Sequence, residues 1–315
     1  MRGGALGDFL VTLPSLALLR QHHPSARITL AVSSPVVKLA AMSGVADQCI
    51  SLDIAWAGRL FGNTLQSDEA AWLQGFSMVF SFLHDPDACV RTWFAANSTA
   101  AFHHASPLVV DRHAVDHFLE PLAGWFDIEM DGVSRNYALT VPMSVRKELA
   151  RRFPTMLAPP PIWIHPGSGS VAKNWPCGHF IALARRIRAE AGVPVRFCIG
   201  EAEGTLALEL EQAGEGAHVL DELSLPELAG LLSMGAGYIG NDSGVSHLAA
   251  CVGATSVVVF GPSDDCLWAP RGRQIHLVRA TGRTTAALAA LPVSTVFEAV
   301  RQSGMLGRCG GGPAV

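Results

Sequence analysis

Residues 238–262, YIGNDSGVSHLAACVGATSVVVFGP, constrain the fold more than any other stretch of this chain. Tyr238, Ile239 and Gly240 read as the end of a buried strand, and Asn241, Asp242, Ser243 and Gly244 as a turn. Residues 245–252 read as a short helix that Gly253 stops. Residues 255–260, β-branched and uncharged, read as a second buried strand closed by Gly261 and Pro262. Asp242 and Ser243 stand where an N-cap belongs, and Gly244 leaves room for another group at the first turn. A helix start at the carboxyl end of a parallel strand presents unpaired N–H groups and partial positive charge, which suits a phosphate. A capped strand-helix-strand unit with no ligand has the same local pattern.

The rest of the chain repeats this alternation. Its 315 residues suit two domains of ordinary size, and 49% hydrophobic against 16% charged residues implies a large buried fraction. Residues 8–22, 36–42, 87–97, 112–123 and 145–153 read as helices. Residues 27–32, 48–52 and 77–82 read as strands, with further strands near Ala100 and Leu108. Residues 154–161 hold four prolines and read as a stiff linker. The expected domains are therefore 1–153 and 162–303, followed by a glycine-rich tail, 304–315. In the second half, strands are expected at 162–165, 195–199, 219–220 and 275–278. Helices there are expected at 177–191, 205–214, 224–234 and 292–302. The whole is α/β, two parallel-sheet domains facing a cleft. A doubly wound domain opens with an apolar strand, yet only Met1 and Arg2 precede Gly3 and Gly4. We expect a strand to belong ahead of Met1, because a missing central strand leaves backbone groups unpaired.

Composition narrows the function. A net charge of −4 argues against a general nucleic-acid binder. No apolar run reaches membrane-spanning length, and no basic segment followed by an apolar one resembles a signal peptide. The seven cysteines show no C-x-x-C and no paired spacing, so free thiols in a reducing cytoplasm are expected. Neither half carries a complete dinucleotide fingerprint, which disfavours a dehydrogenase.

Asp8 follows a glycine turn at a helix start, where an aspartate serves as an N-cap or as a general base. The segment His165-Pro166-Gly167-Ser168-Gly169-Ser170 is not a P-loop. Its small residues let backbone N–H groups close on an anion, and Lys173 can add a mobile charge for a diphosphate or simply be solvated. Asp85-Pro86-Asp87 has the form of a divalent-metal motif, and His113 and His117 lie one helical turn apart. No third ligand is placeable for either, so no metal site is expected.

Three stretches together resemble glycosyltransferase family 9, the ADP-heptose:lipopolysaccharide heptosyltransferases. They are Gly4-Ala5-Leu6-Gly7-Asp8 with Thr12-Leu13-Pro14, then His165 to Gly169 with Lys173, Trp175 and Pro176, then the Asp242-Ser243-Gly244 run ending Phe260-Gly261-Pro262. They stand in the family's order and span nearly the whole chain. The resemblance implies the GT-B fold and an inverting, metal-independent transfer of a sugar, heptose being expected, from a nucleoside diphosphate to a lipopolysaccharide-core-like hydroxyl. It makes Asp8 the base. It places Ser168, Gly169 and Lys173 at the diphosphate, and Asp242, Ser243, Gly244 and His247 in the donor pocket. Glu203 goes to the nucleoside, with Glu201 a weaker candidate, and Leu223 walls the base. His247 also reads as a structural histidine. Val11 stands where the family often has a histidine, a departure that puts the substrates in question. A sugar-nucleotide epimerase of the same form, or a relative that only binds a nucleotide sugar, are the alternatives. The implied setting is a cytoplasmic monomer that needs no cofactor beyond its donor. Its implied partners are the nucleotide sugar and a lipid-linked or oligosaccharide acceptor, and peripheral contact with the inner membrane is left open.

Overall fold

The computed structural model describes residues 1–200 and 203–307, so Glu201 and the end of the tail lie outside the described residues. The chain divides into two compact units, Met1–Tyr137 and Ala138–Val315. The division falls before the helix Met143–Arg152 rather than after it. That helix packs on Leu225–Met234 of the second unit, where a Cβ on Gly230 would meet Leu149 and Val145. The proline-rich segment therefore lies inside the second unit.

In the first unit β1 (Thr29–Val32) pairs with β2 (Gln48–Ser51), and β3 (Met78–Ser81) with β4 (Ala101–His104), all parallel. Helices Leu13–His22, Val37–Ser43, Cys89–Asn97 and Ala114–Trp125 flank them. The helix expected over 8–22 is two helices, Leu6–Leu10 and Leu13–His22. Pro14 has no N–H for the Leu10 carbonyl and its ring clashes there, which breaks the ladder. No strand forms at Leu108. Leu108 and Val110 are 57% and 74% exposed, so neither gains from burial.

No ladder joins β1 to β3 directly among the described residues. Instead Arg2 bridges Val32 on one side and Phe82 on the other, both in the parallel sense. The Arg2 N–H donates to the Ala31 carbonyl, and the Met1 carbonyl accepts from Phe82, each at 2.9 Å. Beneath this contact is an apolar cavity of about 280 Å³ lined by Leu30, Ala31, Trp56, Val79, Phe80 and Phe94. Met1 lines it as well. The Met1 amine donates to the Phe80 carbonyl. Burial, with a smaller contribution from the Arg2 charge, lowers its pKa to about 5.

The second unit holds one six-stranded parallel sheet. Its strands are β5 (Ile162–His165), β6 (Val195–Cys198), β7 (Val219–Leu220), β8 (Gly237–Asn241), β9 (Ser256–Phe260) and β10 (Ile275–Arg279). Their spatial order is β10-β9-β8-β5-β6-β7. The chain thus starts in the middle, runs outwards to β7, and restarts at β8 on the other side of β5. This is the doubly wound order, whose reversal point lies between β5 and β8. β5, β8 and β9 are buried along their whole length, as continuous apolar runs in a two-sided sheet require. Trp175, Phe180, Phe197 and Phe297 fill the layer between the sheet and helices Cys177–Ala191 and Val293–Gln302. Each contributes roughly 1.5–3 kcal/mol of hydrophobic burial.

The apolar cavity of the first unit carries a test. An extension of about five apolar β-branched residues ahead of Met1 supplies a strand of ordinary length and should raise the thermal midpoint. The folded amine sits near 5 against an unfolded 8.0, so the unfolded chain binds more protons between those values and stability rises with pH there. The extension removes the buried amine and should flatten that rise in calorimetry. An unchanged midpoint and slope would show that the cavity takes no strand.

Candidate functional site

Because β5 and β8 are parallel neighbours, with His165 opposite Gly240, their carboxyl ends open side by side. Ligands of doubly wound sheets bind at this reversal point. The loop after β5 carries Pro166 to Asn174, and that after β8 carries Asp242 and Ser243 into helix Gly244–Cys251. Asn241, wholly buried, stitches the two. Its Oδ1 accepts the Trp175 N–H at 2.9 Å, and its Nδ2 donates to the Pro166 carbonyl at 2.8 Å. Trp175 is pinned from the other side, its indole N–H donating to the Leu291 carbonyl at 3.0 Å.

These ties bring the expected donor residues together. Lys173 Nζ lies 2.8 Å from Asp242 Oδ2, with the lysine side chain 39% exposed and the aspartate 7%. Ser243 is the cap of the helix, its hydroxyl accepting from the Ser246 N–H. Asp242 precedes the cap, and Gly244 is the first helical residue. The Ser168 hydroxyl sits 2.6 Å from Asn174 Oδ1 and 2.7 Å from the Ser170 carbonyl, which folds its loop into a compact turn. Around Gly169 a Cβ would meet nothing within 4 Å, so open space faces that backbone. His247 is buried in its helix. Leu223 is partly exposed in the loop after β7, at the same edge of the sheet.

Glu203 stands at the start of helix Gly204–Gln212, beyond β6. Its Oε2 accepts the Gly200 N–H at 2.8 Å, and its Oε1 lies 3.3 Å from His165 Nε2. The other imidazole nitrogen lies 2.9 Å from the Cys198 carbonyl, to which it donates. Burial opposes charge on His165, but its contacts with Cys198 and Glu203 outweigh that and raise its pKa well above 6.5. Burial likewise opposes the Glu203 charge, and the contacts with His165 and Gly200 overcome it, leaving the carboxyl below its ordinary range. The two form a buried ion pair. Sequence reading placed Glu203 and missed its partner, although the histidine at a strand's carboxyl end was visible.

In the first unit Asp8 lies inside the first turn of Leu6–Leu10, not at its cap. Its Oδ2 accepts the Ala5 N–H at 2.9 Å and its Oδ1 accepts from Arg2 Nη2 at 3.0 Å. Arg2 also donates through Nε to the Asp8 carbonyl and to Thr12 Oγ1, each at 3.1 Å, and lies over the Phe118 ring. The Arg2 side chain is 4% exposed and that of Asp8 34%, so the carboxylate is held from behind and open in front. Gly4 is required twice over: its φ is +98°, and a Cβ there would fall 2.6 Å from Asp8 Oδ2. Val11 is buried.

Asp85, His113 and His117 make local hydrogen bonds. Asp85 Oδ2 accepts the N–H groups of Val90 and Arg91, which caps helix Cys89–Asn97. His113 accepts the Val115 N–H as a helix cap, and His117 donates to the Ser106 carbonyl. Asp264, Asp265 and Cys266 cluster closely enough for a metal, but Arg283 and Arg279 already pair with the two carboxylates.

A lysine, a capped helix start and a small-residue loop stand together at the reversal point of a doubly wound sheet, where such folds bind their ligands. Residues 87–290 match glycosyltransferase family 9 (heptosyltransferase), and the chain belongs to that family. It is 32% identical over 183 residues to lipopolysaccharide heptosyltransferase 1 of Pseudomonas aeruginosa, covering 56% of this chain and 48% of that protein. That match spans about half of the relative's length. Against lipopolysaccharide heptosyltransferase 1 of an Escherichia coli strain the identity is 21%, over 95% of this chain and 96% of the relative. The solved structure of E. coli ADP-heptose lps heptosyltransferase II superposes with a TM-score of 0.76 at 19% identity, covering 96% and 97% of the two chains. The expected fold class is therefore the observed one.

The Asn241 tie can be tested alone. Asn241→Leu keeps the branched shape, though not the size, and leaves the Trp175 N–H and the Pro166 carbonyl unpaired in a buried place. It should cost about 3 kcal/mol in chemical denaturation, the sum of two unmade buried hydrogen bonds. A cost under about 1 kcal/mol would show that the loops hold without it.

Proposed function

We propose that this glycosyltransferase moves a heptose, with inversion, from ADP-heptose to a hydroxyl of a lipopolysaccharide-core acceptor. The observation that carries the reading is the pairing of Lys173 with Asp242 beside the start of helix Gly244–Cys251, at the reversal point of the sheet. Ser168, Gly169 and Lys173 hold the diphosphate. Asp242, Ser243, Gly244 and His247 shape the donor pocket, Leu223 lies against the base and Glu203 takes the nucleoside. The names of the relatives supply the sugar, the nucleotide and the acceptor class.

Asp8 acts as the general base, taking the acceptor's proton as its oxygen attacks the anomeric carbon. The leaving diphosphate gains charge as the bond breaks, and the lysine and the helix N–H groups are aimed there in advance. Those groups do the work a divalent ion performs elsewhere, so the reaction needs neither metal nor further cofactor. Among the described residues no helix is long and apolar enough to cross a membrane. The proposed setting is the cytoplasm, with peripheral contact at the inner membrane where a lipid-borne acceptor is found, and with the protein acting as a monomer.

Two substitutions should fail differently. Asp8→Asn removes the base; donor affinity by calorimetry should hold while turnover falls by about a hundredfold or more. Lys173→Ala should weaken donor binding by about 1.5–3 kcal/mol, the range for hydrogen bonds to charged groups, and lower turnover as well. Turnover of donor with no acceptor present would instead make the protein an epimerase, and binding without any turnover a carrier.

Chelation is a separate check. Excess EDTA should leave the rate largely intact. A loss restored by magnesium or manganese would overturn the metal-free reading and return attention to Asp264 and Asp265.

A further inference from the structure

Helix Met143–Arg152 carries four cations, Arg146, Lys147, Arg151 and Arg152, against one carboxylate, Glu148. The chain as a whole carries −4, so the helix reverses the sign of its surroundings. Arg151 pairs with Glu148, and Arg152 with Glu227 of helix Leu225–Met234. Among the described residues neither Arg146 nor Lys147 has a carboxylate partner, and Arg146 Nε is buried with no acceptor. Val145 and Leu149 face Gly230 of the neighbouring helix, which turns the opposite side outward. Met143, Lys147 and Arg151, spaced four apart, share that outward side. Met143 is 62% exposed, and the Arg151 side chain 75%.

We propose that the outward side of helix Met143–Arg152 is a docking surface for an anionic lipid bilayer, against which the second unit rests. The inference rests on the lipid-borne acceptor proposed above. A chain of net negative charge is repelled as a whole by anionic headgroups, so it approaches them only through a local excess of cations. That attraction fades within about 8 Å at physiological salt, which confines it to this helix and the side chains beside it. Each basic side chain held close to such a surface strengthens binding by about fivefold. Met143 can enter the headgroup layer alongside the apolar stems of Lys147 and Arg151. A face that is only solvated answers its cations with neighbouring carboxylates, as Arg186 with Glu190 and Arg301 with Glu298 do on other helices. Arg146 and Lys147 are left without that answer. The Arg152–Glu227 pair fixes the last turn of the helix beside the start of Leu225–Met234, next to Leu223. Docking on this side therefore brings the ligand edge of the unit close to the headgroups.

The test is sedimentation of the full chain with vesicles of phosphatidylcholine alone and of phosphatidylcholine mixed with phosphatidylglycerol. The unaltered protein should bind the mixed vesicles at least about tenfold more tightly than the neutral ones, and more tightly still at low salt. Lys147→Gln together with Arg151→Gln should weaken that binding by about thirtyfold, two charges at about fivefold each. Arg186→Gln together with Arg301→Gln changes the net charge equally on two other helices and should leave binding within about threefold. Lys147→Gln alone, at an exposed side chain with no partner to lose, should cost about fivefold and decides the matter if the double variant does not fold. No binding to the mixed vesicles, equal binding to the neutral ones, or the same loss in both double variants would overturn the docking surface. Retention on heparin beads without vesicle binding would also overturn it, making the partner an acidic chain. The vesicles hold neither donor nor acceptor, so a failure here leaves the sugar transfer standing, and a failure of that transfer leaves the vesicle result unchanged.

Discussion

The side-chain amide of Asn241 joins backbone that the sheet by itself leaves free. The β5–β8 ladder ends at His165 and Gly240, and beyond it both strands run out into loop. Loops carry donors and acceptors that need partners once water is excluded. Asn241 supplies them in both directions, accepting from Trp175 and donating to Pro166. Ser168 to Lys173 lie between those two anchor points, so one buried residue sets the span within which they sit. Nothing in that arrangement depends on the chemistry of a ligand; it is there before one arrives.

The second unit was legible because its signals are local. Strands buried on both faces read as unbroken apolar runs, and glycines, prolines and capping residues mark their ends, so residues 238–262 gave strand, helix and strand nearly to the residue. The first unit was harder. Its strands are four residues each and partly exposed, so their runs are short and mixed. The helix Ala55–Phe61 escaped notice because its apolar residues serve a cluster around Trp56 and Leu73 rather than a regular stripe. The domain boundary was drawn at the prolines, where chain stiffness changes. It lies earlier because packing on Leu225–Met234, a contact far away in sequence, claims the helix Met143–Arg152.

The candidate site residues were found by motif, but their partners were not. Arg2 and His165 are cations that never appear as site residues in the sequence reading, and Asn241 appeared only as part of a turn. Each acts through a group far along the chain or through a fold-dependent approach, and no spacing rule reports that. What the partners share is burial. The Arg2 side chain is 4% exposed and that of His165 7%. A buried cation is tolerated only beside an anion with hydrogen bonds to spare, so each points to the carboxylate it serves.

Lys173 differs from those two cations because its side chain is 39% exposed and stands on a short turn. An ammonium has three donors, and Asp242 uses one, so the lysine can serve Asp242 and an incoming phosphate together. It need not leave the aspartate, whose side chain is 7% exposed and would otherwise keep an uncompensated charge. The pair as a whole is neutral. In the proposed role its pull on a diphosphate therefore comes from directed N–H groups at contact distance, joined by those of the helix start, rather than from a net field. Such attraction falls off quickly with distance and is screened little by salt once water is excluded. The orientation of Lys173 is fixed by Asp242 in advance, so less side-chain freedom is lost on binding. By this argument the buried aspartate strengthens the proposed phosphate site despite carrying the same sign of charge as a phosphate.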